Sequence, residues 1–314
     1  MRVAVTGGCG FIGSHVVDHL VSAGHDVLVI DKHQRWRNPG AGYVITDLFD
    51  AASLNSAMRD RDVVFHLAGA ANVNEVLADP VLSLRLNVEG VGRVLDAARN
   101  QGCSRVVLAS TVWVYGATIG NGERTEDAPI DLRRAGHLYV STKLAAEMVM
   151  HSYLEMYGQE FTILRYGIPY GPRMRDALVV AKFVAAAREG KPITIAGTGD
   201  QQRNFVYVED LAEAHVLSLS PAAANQTLAL EGDTPVTITE IAETVQHLVG
   251  PVPIEHVPGR AADYDGVSIS NRLAKELLNW SPTTPLAEGI RRYLAWLDAS
   301  AAGTAAGPEA VRRP

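Results

Sequence analysis

Cysteine is almost absent from the 314 residues: there are two, Cys9 and Cys103. Two thiols so far apart exclude a disulfide scaffold and match no metal-ligand spacing, so no metal site is expected, and both read as small packing residues. Cys9 lies in a glycine-rich turn and is a candidate for alkylation. No apolar run approaches the roughly eighteen residues of a membrane span, and no charged-then-apolar leader precedes the first strand, which predicts a cytoplasmic protein with no membrane partner. No basic stripe is present either. With 28 Lys and Arg against 35 Asp and Glu the net charge is −7, which argues against nucleic acid and leaves recognition of small anions to individual arginines. What the chain does have is 47% hydrophobic residues, enough to bury a substantial core.

Those hydrophobic residues come in a rhythm. Short apolar runs at Val3–Val5, Val27–Ile30, Tyr43–Ile45, Val63–Phe65, Val106–Leu108 and Phe161–Leu164 alternate with helical patterns. Such alternation predicts an α/β fold with a Rossmann-type, doubly wound parallel sheet, whose ligands gather beyond the carboxyl ends of its strands. The residues at those ends are Gly7–Gly13, Asp31, Asp47 and Leu48, His66 to Gly69, Ser110 and Thr111, and Arg165 to Pro172. After Leu164 the alternation fails and Pro and Gly become frequent. The expected organisation is a core domain over 1–165, a smaller mixed C-terminal lobe for substrate over 166–298 with some return to the core, and a tail over 299–314.

The first strand breaks into Thr6-Gly7-Gly8-Cys9-Gly10-Phe11-Ile12-Gly13 and resumes at once as a helix. Glycine tolerates positive φ and lets backbone approach a pyrophosphate, while Phe11, Ile12 and Gly13 open a helix whose amides and dipole favour an anion. Gly8, Gly10 and Gly13 fit one dinucleotide spacing; Gly7, Gly10 and Gly13 fit a wider one. Asp31 follows eighteen residues after Gly13, at the end of the second strand, where a carboxylate accepts from adenosine ribose hydroxyls and repels a 2′-phosphate. NAD is therefore expected rather than NADP, with Lys32 to Arg37 a solvated loop face.

Tyr139 and Lys143 stand four residues apart, on one face of a helix that follows the fifth strand. An ammonium and a cationic nicotinamide both favour the phenolate that base work at neutral pH requires. Thr111, at the end of the fifth strand, is placed to hold a hydroxyl undergoing oxidation, or else to satisfy a strand-end backbone group. Trp113 has two readings, an aromatic wall for substrate or packing beneath the loop.

Thr6–Gly13, Asp31, His66-Leu67-Ala68-Gly69, Asn87, Ala109–Gly116, Tyr139–Lys143 and Arg165–Arg173 together resemble the extended short-chain dehydrogenase/reductase family, in its nucleotide-sugar epimerase/dehydratase branch. The resemblance covers nearly the whole chain and continues through Gly197–Asp210 and Pro258–Asp263. It implies a retained NAD held by Gly7, Gly10, Phe11, Ile12, Gly13, Asp31, Asp47, Leu48, Leu67, Ala68, Gly69, Asn87, Ser110, Tyr139, Lys143, Tyr166 and Ile168. It implies catalysis by Thr111, Tyr139 and Lys143 through a 4-keto sugar, with Lys143 orienting the ribose and lowering the phenol's pKa. The substrate would meet Thr111, Trp113, Arg203 and Arg260, the two arginines on its diphosphate. The helices near 80–101 and 138–157 are those that would join two copies into a homodimer. Relatives that dehydrate or decarboxylate carry acids just after the threonine, whereas this chain has Val112 and Trp113, and Ile168 replaces a frequent asparagine. The pattern points first to a 4-epimerase of a UDP- or dTDP-hexose. Gly171-Pro172-Arg173-Met174 resembles the decarboxylases of UDP-glucuronate, the second expectation. A 4,6-dehydratase, a 4-ketoreductase and a non-catalytic NAD-binding sensor follow.

Overall fold

Short β-branched runs become strands wherever glycine or a polar turn bounds them. The computed structural model describes residues 1–119, 122–259 and 268–303. Its strands are β1 (Arg2–Thr6), β2 (Asp26–Asp31), β3 (Gly42–Ile45), β4 (Val63–His66), β5 (Arg105–Thr111), β6 (Glu160–Tyr166), β7 (Ile168–Tyr170), β8 (Ile193–Ala196), β9 (Gln202–Tyr207), β10 (Gln226–Leu230), β11 (Pro235–Thr237) and β12 (Ile254–Val257). Seven form one parallel sheet in the order β10-β6-β5-β4-β1-β2-β3. Strand order reverses between β1 and β4, which opens a crevice at their carboxyl ends.

Period-two alternation feeds two cores. Val3, Val5 and Phe65 face one side, with Val16, Val17 and Leu20 of the Phe11–Ser22 helix and Leu211 of the Val208–Leu217 helix. Ala4 and Val64 face the other, with Leu95, Ala98 and Met150. The six expected strands all form. The seventh, β10, comes from beyond the point where the alternation fails, and it pairs with β6 from Gln226↔Thr162 to Leu230↔Tyr166.

A mixed three-stranded sheet, β11-β9-β7, and a parallel pair, β12-β8, build the smaller lobe around Tyr170, Phe183, Ile195, Tyr207, Ile241 and Ile290. Asp210 ties its end to the main core: its carboxylate accepts from the amides of Thr283 and Thr284 at 3.2 and 2.9 Å, and its carbonyl from the Trp280 indole at 2.8 Å. The last helix, Leu286–Ala301, runs into the stretch expected to be tail.

The one continuous helix expected near 80–101 is instead three segments, Pro80–Leu84, a widened π turn at Arg85–Glu89 and Gly90–Asn100, preceded by a separate first segment at Val73–Ala78. Proline cannot continue a preceding helix, and Asp79 both closes the first segment and caps the second by accepting from the Leu82 amide at 2.9 Å. Wide turns of this kind concentrate at functional sites, and this one carries Asn87.

Candidate active site

The glycine turn runs under the end of β4. Gly7 has φ 71°, and a Cβ there would lie 2.6 Å from the Ala68 nitrogen; one on Gly13 would lie 2.2 Å from the Gly7 carbonyl oxygen. The wider spacing, Gly7, Gly10 and Gly13, therefore forms the turn. Gly8 meets Val29 and Val17 instead and serves packing. The Phe11–Ser22 helix starts at Gly10 with no side-chain cap, so its first amides remain available to an anion. Phe11 leans on the small-lobe core and Ile12 on the main one.

Asp31 is held at the lip of the crevice, accepting from the amides of Cys9 at 3.0 Å and His33 at 2.9 Å. Its own carbonyl accepts from Thr46 at 3.0 Å, which brings Asp47 and Leu48 alongside, the first exposed and the second buried. Lys32 to Arg35 are exposed, and Arg37 stacks over Tyr43 at 4.2 Å, a loop face as expected. An open helix N-terminus, a glycine floor with no space for side chains and a carboxylate at the next strand end fit NAD. Cys9 is not a candidate for alkylation: it is 3% exposed and burial pushes its thiol up to about 11.

Deeper in the crevice, Asn87 accepts from the Ala70 amide at 2.8 Å and donates to the Ala70 carbonyl and the Thr142 hydroxyl, each at 2.9 Å. The π turn is thus fastened to the Leu138–Tyr157 helix, and Gly69 is the residue that leaves room: a Cβ there would lie 2.8 Å from Asn87 Oδ1 and 3.8 Å from Lys143 Nζ. Lys143 is buried and donates to the Ala109 carbonyl at 3.0 Å. Burial brings its ammonium down to about 8, against the opposite pull of Glu147. Behind it His66, bonded to Thr6 Oγ1 at 2.7 Å, is held neutral by burial, down to about 3.

Tyr139 is buried. Burial pushes its phenol above the ordinary range, and Thr111 and Arg175 pull it back. Thr111 accepts from the Trp113 amide at 3.2 Å, so it satisfies a backbone group just past the strand end. Trp113 stands edge-on to Tyr139 with centroids 6.1 Å apart and lines a cavity, as a wall would.

Two hydroxyls are engaged away from the crevice. Ser110 donates to Glu147 at 2.5 Å, and Glu147 also holds Arg165 at 2.7 Å in a buried triad. Side chains alternate along β5, so the neighbour of Thr111 must face the opposite way. Tyr166 has its hydroxyl 2.6 Å from His215 Nε2 in the main core. These two residues therefore offer backbone, not hydroxyls, to a ligand. Arg260 lies outside the described residues.

Beside the Thr111–Tyr139 pair opens a cavity of about 530 Å³ lined by Val112, Trp113, Ile168, Arg203 and Glu231, among others. Ile168 and Arg203 arrive on adjacent strands, β7 and β9. Glu231 was missed in the sequence. It directly follows β10, so the strand-end rule finds it only once β10 is known to belong to the main sheet.

Similarity to known proteins agrees with this architecture. The family model described as the NAD dependent epimerase/dehydratase family matches residues 3–229. A probable UDP-glucuronate 4-epimerase of Rhizobium meliloti is 32% identical over 95% of this chain and 97% of that protein. UDP-glucuronic acid decarboxylase 1 of Arabidopsis thaliana is 33% identical over 94% of this chain and 69% of that protein. Among solved structures, the UDP-glucose 4-epimerase of Thermus thermophilus in complex with NAD superposes with a TM-score of 0.84 at 31% identity, over 95% of this chain and 99% of that one. The fold, the glycine turn and the Tyr139–Lys143 helix thus sit in a chain that belongs to the NAD dependent epimerase/dehydratase family.

Proposed function

We propose that this protein is an NAD-dependent nucleotide-sugar 4-epimerase acting on a UDP- or dTDP-hexose, the relatives favouring UDP. The observation that carries the reading is the buried Tyr139 with Thr111 acting on its phenol, at the edge of a cavity where the two residues directly after Thr111, Val112 and Trp113, carry no acid. NAD, held by the glycine turn, the Phe11–Ser22 helix start and Asp31, supplies the group that oxidises the sugar carbon and later reduces it.

Thr111 orients the sugar hydroxyl and Tyr139 takes its proton, leaving a 4-keto sugar. Lys143, with the positive charge that bound NAD would add, would stabilise the phenolate that burial otherwise disfavours. The same phenol returns the proton after the keto sugar turns its other face, so no further acid is needed. Dehydration and decarboxylation by the family's usual scheme do need one, and Val112 and Trp113 cannot carry a proton. Arg203 suits the diphosphate.

Incubation with NAD and UDP-glucose, UDP-glucuronate or dTDP-glucose, read by NMR and mass spectrometry, is expected to give the C4 epimer with unchanged mass. Loss of carbon dioxide from the uronate would instead establish the decarboxylase reading, which the 33% identical relative favours. Tyr139→Phe is expected to lower turnover by about 100-fold or more with NAD still bound; undiminished turnover removes Tyr139 from the mechanism.

The active unit is read as a homodimer. Leu77, Val81 and Leu84 on the two short helices and Met148 and Met156 on the Leu138–Tyr157 helix are 44–73% exposed, and these helices lie against one another. A cytoplasmic location is supported by two buried, unpaired thiols.

A further inference from the structure

We propose that Glu231 holds the sugar in this site: its carboxyl group pairs with a hydroxyl of the sugar. The proposal rests on the nucleotide-sugar reading above and identifies a residue by which that site grips the sugar.

Glu231 is fixed by its backbone. Its amide donates to Asn271 Oδ1 at 2.9 Å and its carbonyl accepts from Asn271 Nδ2 at 2.6 Å, while the same Nδ2 reaches Asp233 at 3.0 Å. Space for the side chain comes from Gly167: a Cβ there would lie 3.2 Å from the Glu231 Cα and 3.3 Å from its carboxyl carbon. Leu230 pairs with Tyr166, and Tyr166 with Thr111, so Glu231 follows a strand end two strands from Thr111. Two interstrand spacings are about 10 Å, a distance suited to the part of a hexose beyond the reacting carbon.

The carboxyl is 6% exposed, lines the cavity, and its Oε2 has no hydrogen-bond partner. A buried polar atom left unsatisfied costs about 1–3 kcal/mol, a penalty that a bound hydroxyl removes. Burial alone pushes the group up to about 8, so near neutrality it is an acid with one O–H donor and one acceptor, the complement of a hydroxyl. Of the charged side chains around the cavity, Asp233 pairs with Lys275 at 3.0 Å and Arg272 with Glu276 at 2.7 Å; Glu123 adds negative charge, and Arg203 lies on β9. The nearer walls, Val112, Trp113 and Ile168, are apolar or aromatic.

The test measures binding of UDP and UDP-glucose to the NAD-loaded full-length protein by calorimetry, for wild type, Glu231→Gln, Glu231→Ala and Glu231→Leu. Glu231→Ala should weaken UDP-glucose about tenfold while UDP stays within about twofold, and Glu231→Gln, which keeps donor and acceptor, should hold UDP-glucose. An unchanged ratio of UDP-glucose to UDP affinity in Glu231→Ala, or a glutamine variant as weak as the alanine one, overturns the proposal. If Glu231→Ala fails to fold, Glu231→Leu, which keeps the volume and removes donor and acceptor, decides by the same ratio. An active epimerase without this pattern refutes only the role of Glu231, whereas the pattern in a protein that does not epimerise UDP-glucose refutes only the reaction.

Discussion

Asp31 illustrates how one side chain serves structure and recognition together. Its carboxylate spans the glycine turn to the Cys9 amide and the following loop to His33, so replacement loosens the turn as well as removing a ribose acceptor. The loosened turn affects NAD and NADP alike, but the loss of negative charge does not, because a 2′-phosphate is repelled only while the carboxylate is present. Asp31→Ala is expected to weaken NAD by about tenfold or more and NADP by clearly less, as for a charged hydrogen bond of about 1.5–3 kcal/mol. Titration of both cofactors checks it, and equal losses would mean that Asp31 acts only on the turn.

At the scale of elements, the strand–turn–helix unit from β1 through Ser22 depends on close backbone approach. A Cβ on Gly13 would sit 2.2 Å from the Gly7 carbonyl oxygen, with rigid backbone on both sides, whereas one on Gly92 in the Gly90–Asn100 helix would meet nothing within 4 Å. Gly13→Ala is therefore expected to destabilise by about 1–3 kcal/mol through overpacking and to abolish cofactor retention. Gly92→Ala should stabilise by about 0.5–1 kcal/mol through helix propensity. Urea unfolding of both variants, with cofactor content after purification, tests the pair; matching effects would show that the turn is more compliant than its geometry indicates. The π turn and the Leu138–Tyr157 helix form a second such unit, in which Asn87 fixes the spacing between the Gly69 backbone and Lys143 through hydrogen bonds to Ala70 and Thr142.

For the whole molecule, the exposed apolar residues across three helices are what the homodimer reading rests on. Val81 is 73% exposed and Met148 62%, on helices that pack side by side, and scattered apolar exposure is ordinary whereas a contiguous stripe marks an interface. Sedimentation is expected to give a particle of twice the 33.7 kDa chain. The double change Val81→Glu and Met148→Glu should yield a folded monomer, and a wild-type monomer at tens of micromolar would refute the dimer. No described helix is long and apolar enough to cross a membrane.

Much of this was legible in the residues themselves. Local chemistry determined the six alternating strands, the glycine turn ending in a helix, Asp31 at a strand end and the shared face of Tyr139 and Lys143, because each follows from periodicity or from one residue's conformational freedom. Tertiary structure decided the rest. It showed that Gly7 rather than Gly8 meets β4, that Ser110 and Tyr166 turn their hydroxyls toward Glu147 and His215, and that Lys143 lies against the Ala109 carbonyl. It brought β10, sixty residues after β6 in the chain, back beside it, and so carried Glu231 into the cavity. Pairing between distant strands depends on burial shared by the whole sheet, which no local window of sequence contains.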